Sequence, residues 1–313
     1  MTAYRDKLPF TAWYDDPLDF TPKVGAVYVA RDQGIEDRAS HSARLQGLAN
    51  VTYASVVAEE RTSVTLRVGA SGVQVYPLRS TGQLGKFWAQ FTGCAAYIDI
   101  TGLRHHVWMP LLRTALFADV KTHVVYVEPR EYQASVNPTE GQIYDLSEKI
   151  EGVEPIPGLA SFSRVTDSMV FAPLLGFEGT RVAHLLEQIQ PAVDRVFPVI
   201  GVPGFRAEYP FSTYLGNRVA LQQSDSWRQV RFADASCPFS LFWTLEKLAS
   251  EESGCHIKVA PVGTKPHAVG ALLFVVGNTA QREIVYDHPI RKAKRTTGAS
   301  RLLVYDIDGF LSP

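Results

Sequence analysis

Three features of the sequence predict an α/β fold made of two mainly parallel-sheet units related by internal duplication. First, residues 94–129 and 255–289 follow one pattern. A cysteine (Cys94, Cys255) opens a strand, and a glycine stands eight positions later (Gly102, Gly263). A cation follows two residues after the glycine (Arg104, Lys265) and a histidine four after (His106, His267). An apolar helical stretch then leads into a strand ending Tyr-x-x-Pro, 27 residues from Gly102 to Pro129 and 26 from Gly263 to Pro289. Second, residues 28–49 and 170–189 each read as strand, Gly-apolar-Glu, arginine and helix. The two copies are Gly34-Ile35-Glu36 with Arg38 and Gly176-Phe177-Glu178 with Arg181. Third, strands alternate with helical segments, the pattern of α/β proteins. A period above about 100 residues denotes domain duplication, not a solenoid.

The elements follow in order. Residues 1–24, rich in Pro, Asp and aromatics, read as an arm packing on the surface. A first unit over 25–130 starts with a strand at 25–30, a loop through Glu36 and a helix over 38–49. Alternation on both sides of Gly69-Ala70-Ser71-Gly72 predicts a hairpin over 62–76. A helix near 82–92 precedes the strand 95–100, which lacks alternation and is therefore expected to be covered on both faces. Leu111, Leu112, Leu116 and Phe117 recur at helical spacing before a strand at 123–127. A connector over 131–166 carries Pro138, Pro155 and Pro157 and a short helical piece around 143–151. The second unit, 167–313, is expected to run strand 168–174, helix 180–190, strand 195–200 and a turn at 201–206. A polar-aromatic loop from Tyr209 to Arg218 follows, then helix 238–251, strand 256–261, helix 266–276, strand 283–287 and a last strand at 301–307. Crossovers between parallel strands put the Gly102 and Gly263 loops at carboxyl strand ends, where ligands of open α/β sheets bind.

Composition sets bounds. The chain has 313 residues, 46% hydrophobic and 20% charged, which is ordinary for a globular protein with one large or two smaller domains. No run of about 18 apolar residues occurs, so no membrane span or membrane partner is expected. The N-terminal residues lack an uninterrupted apolar segment of the secretory type. Three cysteines do not make a disulfide framework. The cytoplasm is the expected location. A formal charge of −1 argues against a general nucleic-acid coat.

The repeated unit carries the chemistry. Gly263 lets the chain turn sharply out of its strand, and Pro266 suits a first helical turn, where a missing N–H costs nothing. A helix N-terminus presents amides and partial positive charge, a favourable place for phosphate. Thr264 adds a hydroxyl, Lys265 a mobile charge and His267 a proton donor near neutral pH. Thr101, Gly102, Arg104, His105 and His106 offer the same equipment in the first copy. Glu36 with Arg38, and Glu178 with Arg181, either contact a ribose hydroxyl, or fix the neighbouring arginine, or cap their helices. His106 and His267 are the candidate catalytic residues, for phosphodiester or glycosidic cleavage. Asp99, His106, His123 and Glu128 lack metal-ligand spacing, and neither a Walker sequence nor a G-x-S-x-G elbow is present. No cofactor is implied. Arg291, Lys292, Lys294 and Arg295 form either a solvated face or a phosphate or nucleic-acid contact. Residues 204–210 set Phe205 and Tyr209 beside charges and are suited to covering a base by stacking.

A strand followed by Gly-Thr-Lys-Pro and a helix resembles the ligand loop of CARF domains, the Rossmann-like sensors of cyclic oligoadenylates associated with CRISPR immunity. The resemblance covers mainly 255–289 and extends more faintly to 25–130 and 168–200. It implies two Rossmann-like units paired about a twofold axis, with Gly102 and Gly263 near that axis and Arg104 and Lys265 lining one cleft. The ligand it implies is a phosphate-containing (cyclic) nucleotide bound between the repeats. Two departures stand out: Val262 occupies a place where many such loops have a second glycine, and Leu103-Arg104-His105 replaces Thr-Lys-Pro in the first copy. The expected role is a sensor or regulatory subunit in prokaryotic antiviral defence that signals to a separate effector protein. The alternatives are a nucleotide hydrolase working in the same cleft and a scaffold subunit with a vestigial site.

Overall fold

Val27, Val29, Ile98, Val124 and Val125 are fully buried, and these β-branched runs form the centre of one of two large sheets in the computed structural model of the chain. The structure describes residues 8–31, 36–139, 141–161 and 168–312. Contacts divide it into a first unit, Met1–Glu131 with Thr296–Pro313, and a second, Tyr132–Arg295.

In chain order the first unit contains β1 (Thr11–Tyr14), β2 (Ala26–Arg31), β3 (Val51–Glu59), β4 (Ser63–Val68) and β5 (Val73–Pro77). It continues with α1 (Thr81–Trp88), β6 (Ala95–Asp99), α2 (His105–Ala115) and β7 (Lys121–Tyr132). The second unit opens with four short strands: β8 (Ala134–Thr139), β9 (Gln142–Tyr144), β10 (Ser147–Ile150) and β11 (Glu154–Pro155). Its body comprises β12 (Met169–Leu174), α3 (Gly179–Ile189), β13 (Val199–Gly201), α4 (Tyr209–Gln223) and β14 (Arg231–Ala233). Then come α5 (Pro238–Glu251), β15 (His256–Pro261), α6 (Lys265–Gly277), β16 (Arg282–Tyr286) and β17 (Pro289–Arg291). The chain returns to the first unit with β18 (Thr296–Asp306) and α7 (Ile307–Leu311).

The second unit's sheet runs β11-β16-β15-β12-β13-β14. Its five strands β12 to β16 are parallel, and only β11 is antiparallel. Counted along the chain, the parallel strands lie in the order third, second, first, fourth, fifth. That is a doubly wound arrangement, with its topological switch point between β12 and β15. The first sheet runs β1-β18-β7-β6-β2-β3-β4-β5 and is mixed. Its centre, β7-β6-β2-β3, is parallel and repeats the order of β16-β15-β12-β13. The hairpin β4–β5 extends it antiparallel on one side, and β1 pairs antiparallel with β18 on the other.

Several expectations change. The stretch 296–313 belongs to the first unit, because β18 lies between β7 and β1 in that sheet. The N-terminal arm contributes β1, an edge strand, and the buried Phe20. The connector is part of the second unit: its 143–151 piece is extended, since β10 pairs with β17. Residues 37–47 form a 3-10 helix rather than an α-helix. Arg38, His41 and Leu45 recur there every three to four residues on the buried side, and Ser, His and Asp are weak α-formers. Tyr209 to Arg218 lies in a helix, not a loop. Between Tyr209 and Leu221 its buried face consists of small or polar residues, Thr213, Gly216, Asn217 and Ala220, which conceals the apolar period.

Aromatic stacking ties the first core together, with Tyr28 packed on Tyr53 at 5.9 Å and Phe20 edge-on to Tyr97 at 5.7 Å. In the second, Val182 and Leu185 of α3 and Ala220 and Leu221 of α4 cover Phe171, Ile200 and Ala260 of the sheet. Among the described residues, no helix is long and apolar enough to cross a membrane.

Candidate functional site

At the switch point of the second unit, Leu174 of β12 pairs with Pro261 of β15, and the loops leaving the two strands run against each other. A Cβ on Gly176 would come within 2.8 Å of the Val262 carbonyl, and one on Gly263 would meet the Leu175 carbonyl. Both glycines are therefore demanded by backbone approaching backbone. The α6 N-terminus is capped by Thr264, whose Oγ1 accepts from the His267 amide at 3.3 Å and donates to the Ala235 carbonyl at 2.8 Å. Lys265 begins the helix and is buried. His267 donates from Nε2 to the Asp234 carbonyl at 3.0 Å, and burial pushes its pKa down to about 4. At pH 7 the ring is neutral.

Glu178 and Arg181 lie side by side, Oε2 to Nη1 at 3.7 Å, and both are spent internally. The glutamate accepts from the amides of Leu146 and Ser147 at 3.0 and 2.8 Å and from the Ser147 hydroxyl at 2.8 Å. Arg181 forks onto fully buried Asp287 at 2.7 and 2.6 Å. Burial alone would favour neutral Arg181, but Asp287 outweighs it and holds the guanidinium charged. The pair fastens the exit of β12 to the residue following β16.

The first unit makes a similar clamp with different partners. Gly34 and Ile35 lie outside the described residues. Glu36 Oε2 sits 3.3 Å from Arg38 Nε and accepts from the Thr296 hydroxyl at 2.8 Å. Arg38 donates to the Tyr126 hydroxyl at 3.1 Å and to the Val127 carbonyl, near the middle of β7. In both units, then, an arginine after the first strand reaches the Tyr-x-x-Pro segment. Thr101 Oγ1 accepts from the Val127 amide at 3.0 Å. Gly102 lies against Arg31 and Ala39, where a Cβ would stand 3.3 and 3.4 Å from theirs.

The α2 N-terminus already holds a carboxylate. The backbone amide of Arg104, the N-cap residue, donates to Glu59 Oε1 at 2.8 Å, and Arg31 binds the other oxygen of Glu59. His106 donates from Nε2 to the Glu60 carbonyl at 3.2 Å, and His105 is buried against Trp108 with ring centres 5.5 Å apart. An internal anion thus stands where the sequence predicts an external one.

Asp99 turns into the first core. It accepts from the Tyr28 hydroxyl at 2.8 Å and from the Thr101 amide at 2.9 Å, and lies 3.2 Å from His41 Nε2. Burial opposes ionisation of both partners, but their mutual attraction raises the His41 pKa and lowers that of Asp99. The other members of the set that lacked metal-ligand spacing are dispersed. His123 bonds the Lys121 carbonyl at 3.0 Å and stacks on Tyr97, while Glu128 receives a fork from Arg301 at 3.0 and 2.8 Å. No group of three or more His, Cys, Asp or Glu among the described residues is arranged to hold a metal ion.

Within the basic run, Lys292 pairs with Asp145, Arg291 and Arg295 are half-buried and Lys294 is exposed. The aromatics of 204–210 face inward: Phe205 is buried, and Tyr209 packs on Phe177 at 5.1 Å and Tyr132 at 5.7 Å. Tyr144 stacks on Phe177 at 4.3 Å. Glu59, Asp287, Asp234 and His41 complete these arrangements without being among the residues the motifs single out. Asp287 was accessible in principle as the residue after Tyr286 in the repeated Tyr-x-x-Pro segment; Glu59 and Asp234 carry no local signal, because the turns that use them are distant in sequence. No protein-family model matches the chain, and no curated protein matches it in sequence.

Proposed function

We propose that the chain is a nucleotide-binding regulatory protein, a CARF-like sensor serving prokaryotic antiviral defence, and that its second unit is the working half. One observation carries the reading: a capped helix N-terminus with Thr264 and Lys265 stands at the switch point of a doubly wound parallel sheet. Phosphate groups are favoured at such a place because helix amides and a cation converge outside carboxyl strand ends. The shared strand order of β7-β6-β2-β3 and β16-β15-β12-β13, and the arginine clamp in each unit, support internal duplication as the origin of the chain. The first unit has kept the frame, and its helix N-terminus is neutralised by Glu59.

The hydrolase alternative is weaker. His106 and His267 both bond backbone carbonyls, and a ring with a pKa near 4 is a poor proton donor at neutral pH. A scaffold role gains support from Glu59, since a site that supplies its own anion has no need of a ligand. Isothermal titration with a cyclic oligoadenylate, ATP and NAD separates the readings. The sensor reading predicts heat with one of them, affinity weakened more than about tenfold by Lys265→Met, and less than about twofold change in Arg104→Ala. Methionine keeps the packing of the buried stem, and circular dichroism checks the fold. No heat with any nucleotide overturns the sensor in favour of the scaffold, and equal losses in both variants overturn the assignment to the second unit.

A further inference from the structure

Helix α4 carries apolar residues on both faces. Tyr209, Thr213, Gly216, Asn217, Ala220 and Leu221 are buried, yet Phe211, Tyr214, Leu215 and Val219 on the opposite side are exposed, Phe211 by 77% and Leu215 by 49%. Arg218 is the only charged residue in the 15-residue helix. The outward side of a surface helix is ordinarily polar and charged, and here it is mostly apolar.

Two further large apolar side chains are exposed beyond the helix. Trp227, just beyond α4, is 46% exposed. Phe232 of β14 pairs in register with Ile200, whose side chain lies in the core beneath α3 and α4. Paired residues of neighbouring strands point to the same face, so Phe232, 61% exposed, emerges on the α4 side of the sheet. The Thr244 hydroxyl of α5 lies 3.3 Å from the Phe232 carbonyl and Ser240 Oγ accepts from the Asp234 amide, so α5 side chains stand along the free edge of β14. The side-chain face is what remains open.

We propose that this face is an isologous interface between two copies of the chain, with α4 packed antiparallel on α4 of the second copy. Area is the first argument. With a full large side chain taken at roughly 150–250 Å², the six residues expose on the order of 600 Å² of mostly apolar surface. That is the upper end for a monomer's largest patch, and with a polar rim it approaches the roughly 800 Å² per partner of a stable dimer. Charge is the second. The N-terminal end of α4 bears Arg206 with Glu208 at 2.7 Å, and its C-terminal end bears Asp225 with Arg228 at 4.0 Å. Each pair is neutral in itself, so a twofold axis that sets one end of the helix against the other brings no net like charge together at the rim.

Sedimentation equilibrium of the full chain tests the proposal independently of any nucleotide. The wild type is expected to dimerise at micromolar concentration, with Leu215→Glu and Phe211→Asp each weakening the dimer more than about tenfold. Val24→Glu, at an exposed apolar position of the first unit, should have no effect. These side chains are exposed, so thermal midpoints should stay close to wild type. A monomeric wild type, or a dimer indifferent to both α4 substitutions, overturns the proposal. So does a dimer equally weakened by Val24→Glu.

Discussion

His267 bears a different burden from the one its spacing implies. It is almost wholly buried, its Nε2–H is held by the Asp234 carbonyl, and its pKa is near 4 against about 6.5 in an unfolded chain. Between those values the unfolded state binds more protons, so stability is fully present above pH 6.5 and is lost as pH falls toward 4. The loss should reach about 3 kcal/mol, the full difference in proton affinity. Urea unfolding of the wild type and His267→Gln at pH 7, 5.5 and 4 measures this. The variant should show a flatter pH dependence in that window, and parallel curves would refute the assignment. Residue types at the site were legible because Gly, Thr, Lys and Pro have strong local preferences. Their partners were not: Glu59 reaches Arg104 across 45 positions, and Asp287 reaches Arg181 across 106.

Among elements, the best-anticipated were those whose ends carry chemical signals. The α5 helix runs Pro238–Glu251 and β15 His256–Pro261, both as predicted, and α6 starts at the Thr264 cap with Pro266 in its first turn. The least legible was α4, whose buried face relies on glycine. A Cβ on Gly216 would strike the Phe177 carbonyl, and one on Gly179 of α3 would strike the Gly216 carbonyl. Alanine at 216 would raise helix propensity by about 1 kcal/mol in an isolated helix. Here it must push two backbones apart, and we expect Gly216→Ala to destabilise the chain by about 2 kcal/mol or more. A raised denaturation midpoint would show that the α3–α4 crossing is loose. Strand β3 went unassigned because Val51–Glu59 owes its place to pairing with β2 and β4.

At the scale of the whole molecule, the C-terminal segment completes a sheet begun by the first residues. Strand β18 pairs with β1, Arg301 forks onto Glu128 of β7, and Thr296 bonds Glu36. A chain ending at Arg295 should therefore lose amide-exchange protection in β2, β6 and β7 while β12, β15 and β16 keep theirs. Protection in β6 equal to that of the full chain would show that the first unit folds without β18.

Periodicity, caps and the doubled Gly-x-cation-x-His unit determined the alternating α/β character of the chain, the parallel strands at its centre and the loops at their carboxyl ends. Those features are local, set by side-chain spacing and backbone preference within a few residues. Only the tertiary structure decided that the last strand joins the first sheet, that Tyr209 to Gln223 is helical, and that the α2 N-terminus is already occupied by Glu59. Each depends on a contact between distant positions, and a carboxylate at a helix end satisfies the same amides and field that an external phosphate would.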